Sequence, residues 1–174
     1  MANFKVVVTD DRHSGYDEEI AVLKTIGAEV VIAHCTTEDE VVAACKDADG
    51  LLCNLAPMPR AVIEKLEKCK VIARYGVGFD NVDIQAAAEK GIWVTNVSDY
   101  CAEDVSDQAM ALLMGCARKI ARRDAEVRAG QWNIGRADPI YRTCGKVYAL
   151  LGFGMISRCL LRKIKGLNPA KVLV

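Results

Sequence analysis

Up to Thr95 the sequence alternates short apolar segments with runs of helical spacing, and this alternation restricts the fold more than any other feature. Phe4–Thr9 is a β-branched run too short for a helix. Asp10–Gly15 is a polar loop, and Tyr16–Ile26 carries helical spacing closed by Gly27. The pattern repeats as strand Glu29–Ala33, helix Thr37–Cys45, strand Gly50–Cys53 and helix Pro59–Leu66, with proline at its start. Strand Val71–Arg74, helix Val82–Lys90 ending at Gly91, and strand Ile92–Thr95 follow. Strands that are apolar throughout are buried on both faces, which demands a parallel sheet with helical crossovers. Right-handed crossovers then predict an α/β fold, a flavodoxin-like doubly wound parallel sheet over residues 1–100.

A different segment comes next. Residues 101–130 contain no proline, and Val105, Ala109, Leu112, Cys116 and Ile120 recur at steps of three or four. Glu103 and Asp104 stand in its first turn, and Arg118, Lys119, Arg122, Arg123 and Arg128 gather toward its end, matching the helix dipole. The spacing predicts one long interdomain helix of ~28 residues and ~40 Å. Gly130-Gln131-Trp132 ends it. Residues 131–174 then read as the start of a second sheet. An apolar strand from Lys146 runs into Gly152, Gly154 follows, a helix begins at once, and Lys171–Val174 is a second strand. This is most of a dinucleotide fingerprint, G-x-G-x-x-S, and the incomplete beginning of a Rossmann domain. The fingerprint's acidic residue, ~20 residues further on, falls past Val174. With so few covering elements, Leu150, Leu151, Ile164, Val172 and Leu173 are expected to lack burial partners, leaving residues from about 146 onward mobile or docked elsewhere.

Composition excludes several classes. A formal net charge of +0 gives no electrostatic footprint for nucleic acid or acidic membranes. The sequence enters a strand directly from Met1 with no secretory signal, and no apolar run reaches the ~18 residues of a membrane span. Eight cysteines are scattered without C-x-x-C or any close pair. They read as buried, reduced, small hydrophobes and point to the cytoplasm, with no metal site.

In open parallel sheets ligands bind beyond the C-terminal strand ends. After the first strand stand Asp10 and Asp11, as in phosphoacceptor receiver domains, but such a site also needs an Asp after the third strand and a Lys after the fifth. Asn54 and Thr95-Asn96 occupy those places, so the acid pair is read as loop solvation and helix capping. After the fourth strand, Arg74-Tyr75-Gly76-Val77-Gly78-Phe79-Asp80-Asn81 brings two glycines into a tight turn. Its free N–H groups suit a carboxylate, and Asp80 or Asn81 can cap the next helix.

Four segments in this order, Arg74–Asp83 (R-Y-G-V-G-F-D-N-V-D), Gly91–Leu113, Ala129–Trp132 and Leu151–Ser157 (L-G-F-G-M-I-S), closely resemble the NAD-dependent D-isomer-specific 2-hydroxyacid dehydrogenases. The resemblance is to the branch of phosphoglycerate dehydrogenases and C-terminal-binding-protein-like enzymes. It implies a substrate-binding domain over residues 1–100, with Tyr75, Gly76, Val77 and Gly78 at the substrate carboxylate. It also implies that the long helix supports a homodimer and that Val105 lies near the nicotinamide. Gly152, Phe153, Gly154, Met155 and Ile156 would hold the pyrophosphate of NAD, with NADP left open.

There are departures. Ser157 replaces the third glycine, where its hydroxyl and β-carbon could loosen helix–strand packing. Cys53-Asn54 stands where phosphoglycerate dehydrogenases carry Arg-Ser, which disfavours 3-phosphoglycerate. Gln108 replaces a histidine common in relatives. The family's arginine, glutamate and histidine of hydride transfer lie in the second half of the nucleotide domain, so no catalytic residue is expected here; neither His13 nor His34 can take the role. The expected function is the N-terminal part of a D-2-hydroxyacid dehydrogenase, inactive alone. The alternative is a non-catalytic fragment, or a module that binds a small anion or pairs with a full-length relative.

Overall fold

Parallel register aligns Val31, Val7, Leu51, Ile72 and Val94 in one row across five strands, and this row is the floor of the main core. The computed structural model describes residues 4–10, 13–132 and 139–174, which form two compact units, Met1–Ser98 and Asp99–Val174. In the first, β1 (Phe4–Val8), β2 (Ala28–Ile32), β3 (Gly50–Cys53), β4 (Val71–Arg74) and β5 (Trp93–Thr95) lie in the order β2-β1-β3-β4-β5. That is the flavodoxin-like order the alternation predicts. The helices between them are α1 (Asp17–Lys24), α2 (Glu38–Cys45), α3 (Arg60–Ile63) and α4 (Ile84–Glu89). Val41 and Cys45 of α2, Val62 and Ile63 of α3, and Ala86 and Ala87 of α4 close over the apolar row with Met58 and Leu66. Each large apolar side chain buried there contributes ~1.5–3 kcal/mol.

Local chemistry sets the helix starts. Thr37 and Glu40 form a reciprocal capping box on α2. α4 is capped by Asp83, whose Oδ1 accepts from the Ala86 N–H at 2.8 Å, not by Asp80 or Asn81 as the sequence suggested. The chain spends two more residues in the turn before the helix can begin, because Asn81 is drawn to the neighbouring strand end.

In the second unit the single helix expected over residues 101–130 is two, α5 (Ala102–Arg118) and α6 (Ile120–Arg128), separated by Lys119 at φ 56°. The stripe that argued for continuity is exposed at Leu112, Cys116 and Ile120, so no packing surface holds the axis straight. Continuing the helix would also stack Arg118 on Arg122 and Lys119 on Arg123 at the repulsive four-residue spacing. Beyond the break, Arg122 and Arg123 pair with Glu126, and Arg128 pairs with Asp124.

A short parallel pair, β6 (Val147–Ala149) and β7 (Lys171–Leu173), flanks α7 (Met155–Lys165). α5 packs against α7. Lys163 Nζ donates to the buried Ser106 Oγ at 2.6 Å and to Glu103 O at 2.9 Å, with Asp107 at 2.5 Å; Arg162 also pairs with Glu103. The expectation that this segment lacks partners is therefore corrected at Ile164, buried in the helix that packs on α5, and at Leu150, buried just after β6. It stands at Leu151 and Leu173, which are exposed.

The cysteines divide. Cys35, Cys45, Cys53, Cys69 and Cys159 are buried and free, but Cys116 and Cys144 are exposed, against the expectation of uniform burial. No helix among the described residues is long and apolar enough to cross a membrane.

Candidate functional site

At the end of β4 the chain turns through Tyr75–Asp80, and the turn has a definite polarity. Its carbonyls are held from below: Val97 N–H donates to Gly76 O at 3.1 Å, and Asn96 Nδ2 donates to Val77 O at 2.8 Å. Gly76 N–H is engaged by Arg74 O at 2.9 Å. Among the described residues the N–H groups of Val77 and Gly78 meet no backbone acceptor. Gly76 sits at φ 152°, and a β-carbon there would lie 1.9 Å from Arg74 Nη1, so the guanidinium rests directly against the glycine. Nη1 donates to Tyr75 O at 2.9 Å, while the buried Nε meets no acceptor among the described residues. The turn thus offers two N–H groups beside an incompletely compensated positive charge, a suitable environment for a carboxylate.

The Tyr75 side chain turns toward α1. Its hydroxyl donates to Glu19 Oε1 at 3.0 Å, and its ring lies 5.0 Å from His13 and 6.4 Å from Tyr16. Burial, then the Glu19 carboxylate, pushes the phenol pKa up, so the hydroxyl remains a donor to Glu19 rather than becoming an acid. His13 therefore belongs to an aromatic cluster, and the His34 backbone pairs antiparallel with that of Asp10.

Asp10 is not the solvated or helix-capping acid the sequence suggested. It is 3% exposed, and its carboxylate accepts from Asn54 N at 2.9 Å, Leu55 N at 2.6 Å and Thr9 Oγ1 at 2.8 Å. It is buried because β1 and β3 are neighbours, which brings the β3 loop amides to it. Asp11 lies outside the described residues. From the other side Asn81 Nδ2 donates to Ala56 O at 2.8 Å and Asn54 O at 3.3 Å. Together with Tyr75 N to Cys53 O at 2.8 Å, these bonds join the loops after β1, β3 and β4.

In the second unit Gly152 has φ 88°, a conformation that an L side chain resists, and Gly154 is the N-cap of α7. Nothing lies within 4 Å of a β-carbon built on either glycine, so the backbone is open to close approach. The first turn of α7 has no side-chain cap and no acidic residue, leaving the N–H groups of Met155 and Ile156 to an outside acceptor. Arg158 stands over the Phe153 ring at 5.6 Å. These residues fit a pyrophosphate. Ser157 is accommodated in the first turn of a regular α7 at half burial. Val105 is exposed in the first turn of α5.

The structure therefore gathers Tyr75–Gly78 in one loop and Gly152–Ile156 in one turn. Asp10, Asn81, Asn96 and Arg74 were given no site role by the sequence alone. Arg74 carried the one usable signal, a cation ending an apolar strand directly before two glycines. No group of three or more His, Cys, Asp or Glu among the described residues could hold a metal ion.

Residues 6–158 match the pattern of the family described as D-isomer specific 2-hydroxyacid dehydrogenase, catalytic domain. The D-3-phosphoglycerate dehydrogenase of Methanocaldococcus jannaschii is 38% identical over 167 residues, covering 94% of this chain and 31% of that protein. The hydroxypyruvate reductase of Thermotoga maritima is 34% identical, covering 98% of this chain and 57% of that protein. Among solved structures, a 2-hydroxyacid dehydrogenase from Ketogulonicigenium vulgare aligns with TM-score 0.79 at 26% identity, covering 98% of this chain and 54% of that one. The chain thus spans roughly a third to just over half the length of these relatives.

Proposed function

Because this chain belongs to the D-isomer specific 2-hydroxyacid dehydrogenase family, we propose that it supplies the substrate-carboxylate loop and the cofactor turn of an NAD-dependent oxidoreductase. The reaction is hydride transfer between C2 of a 2-hydroxy acid and the nicotinamide. The observation that carries this reading is the β4 turn, where Val77 and Gly78 present N–H groups beside Arg74 while the carbonyls are anchored away. Gly152, Phe153, Gly154, Met155 and Ile156 would hold the cofactor pyrophosphate, and Val105 would line the nicotinamide side. Bound there, the cofactor supplies or accepts the hydride; these residues bind and orient it. The family's acid/base histidine, its glutamate and its substrate arginine have no counterpart assigned in these 174 residues, so the chain by itself binds rather than turns over. NADP stays open because the residue that discriminates the ribose phosphate is not assigned. A cytoplasmic homodimer is part of the same reading.

The β3 loop narrows the substrate. Asn54 is half-buried and Leu55 exposed, so the described residues of this loop put no cation where a phosphate would sit, and the preferred acid is unphosphorylated.

The test has two arms. In amide NMR, glyoxylate or pyruvate shifts Val77 and Gly78, and NADH shifts Met155 and Ile156. The 174-residue chain shows no turnover, whereas a form extended to the length of its relatives oxidises NADH with a 2-keto acid. Absence of turnover by the extended form with every 2-keto acid tried would sink the proposal. A second reading, a non-catalytic module pairing with a longer relative, is favoured by the exposed stripe of Leu112, Cys116 and Ile120. Size-exclusion chromatography with such a relative decides it, since a monodisperse monomer that ignores the partner removes it.

A further inference from the structure

Two buried polar residues, Thr9 and Asp10, directly follow β1. The Asp10 carboxylate engages the loop after β3. The two oxygens of Asp10 take the successive N–H groups of Asn54 and Leu55, one each, and Thr9 Oγ1 donates to the oxygen shared with Asn54. A carboxylate offers each of two adjacent amides its own oxygen; an Asn would turn one acceptor into a donor facing an N–H. The carbonyls of the same loop are held by Asn81, which belongs to the β4 turn. Its N–H groups are thus fixed from β1 and its carbonyls from β4. The Leu55 side chain is left exposed at the tip.

We propose that Asp10 is a positioning residue that sets substrate selectivity. By clamping Asn54 and Leu55 it fixes the wall that meets the part of the 2-keto or 2-hydroxy acid beyond C2. This rests on the reading that Val77 and Gly78 hold the carboxylate. Glyoxylate has nothing beyond C2 to meet the wall, whereas 4-methyl-2-oxopentanoate reaches it. Loosening the clamp therefore changes the ratio of the two affinities, not both equally.

The experiment measures both dissociation constants on the full 174-residue chain by NMR titration, in the wild type, Asp10→Asn, Thr9→Val and Val41→Ala. In Asp10→Asn the affinity ratio moves about tenfold or more, the effect of one lost charge-assisted hydrogen bond. Exchange of the Asn54 and Leu55 amides also accelerates. Thr9→Val, which removes only the hydroxyl holding Oδ1, moves the ratio in the same direction by less, and serves if Asp10→Asn does not fold. Val41→Ala loosens the core without touching the loop and leaves the ratio unchanged. An unchanged ratio in the Asp10 and Thr9 variants, with binding retained, overturns the proposal alone. Wild-type protein that binds neither acid overturns the underlying reading and the proposal with it.

Discussion

Asp10 is held by the loop after β3, Tyr75 by Glu19 of α1 and Arg74 by its own turn, and each has its chemistry fixed by that placement. The cysteines show the same dependence. Burial raises the Cys45 thiol to about 12 and the Cys53 thiol to about 11, so at pH 8 on the order of one in a thousand or fewer is thiolate. Cys116 and Cys144 are exposed. Iodoacetamide at pH 8 should therefore modify Cys116 and Cys144 quickly, while Cys45 and Cys53 stay unmodified until the protein unfolds. Mass mapping of the labelled protein checks this, and early labelling at Cys53 would contradict the buried β3 end.

At the scale of an element, α2 has the best-defined start. Thr37 Oγ1 accepts from Glu40 N at a long 3.4 Å, whereas the Glu40 carboxylate accepts from Thr36 N at 2.7 Å and Thr37 N at 3.0 Å. The carboxylate is the stronger half of the box, and the Thr36 N–H first among these donors holds its pKa down at about 2 from 4.5. A depressed carboxylate stabilises the folded state fully above its unfolded pKa. That contribution fades as pH falls from 4.5 and is gone below about 2. Glu40→Gln should consequently be less stable than wild type at pH 7, with the gap closing across that window; denaturant melts at pH 7, 4 and 2 measure it. Thr37→Ala should cost about 0.5 kcal/mol, the low end for a cap, because its bond is long. α7 has the opposite design, a start left uncapped, which suits a ligand rather than its own stability.

At the scale of the whole chain, stability is unevenly distributed. The main apolar cluster lies entirely within the first unit, while the second buries Ala102, Ser106, Leu150, Cys159 and Ile164 and leans on the Glu103, Asp107, Arg162 and Lys163 network. Amide exchange should be slowest in β1, β3 and β4 and markedly faster in β6 and β7. Ile72→Ala should remove ~2–5 kcal/mol by opening a cavity in the five-strand row. Its effect should appear in the exchange of the first unit, and an equal effect at β6 would contradict independent cores.

By itself the sequence determined the fold class, the strand order and the two glycine turns, because period, turn residues and parallel crossovers are local or topological constraints. Gly50–Cys53 and Val71–Arg74 coincide with the strands observed. It did not determine the break at Lys119, the Asp83 cap, the burial of Ile164 or the clamp at Asp10. The burial of Ile164 and the clamp at Asp10 depend on which distant group arrives alongside, the Asp83 cap on where Asn81 is drawn, and the break at Lys119 on packing that Leu112 and Ile120 do not receive. Asp10 meets Asn54 and Leu55 across 44 and 45 residues of chain. A carboxylate in a loop looks solvated until tertiary structure brings two amides to it and excludes the water.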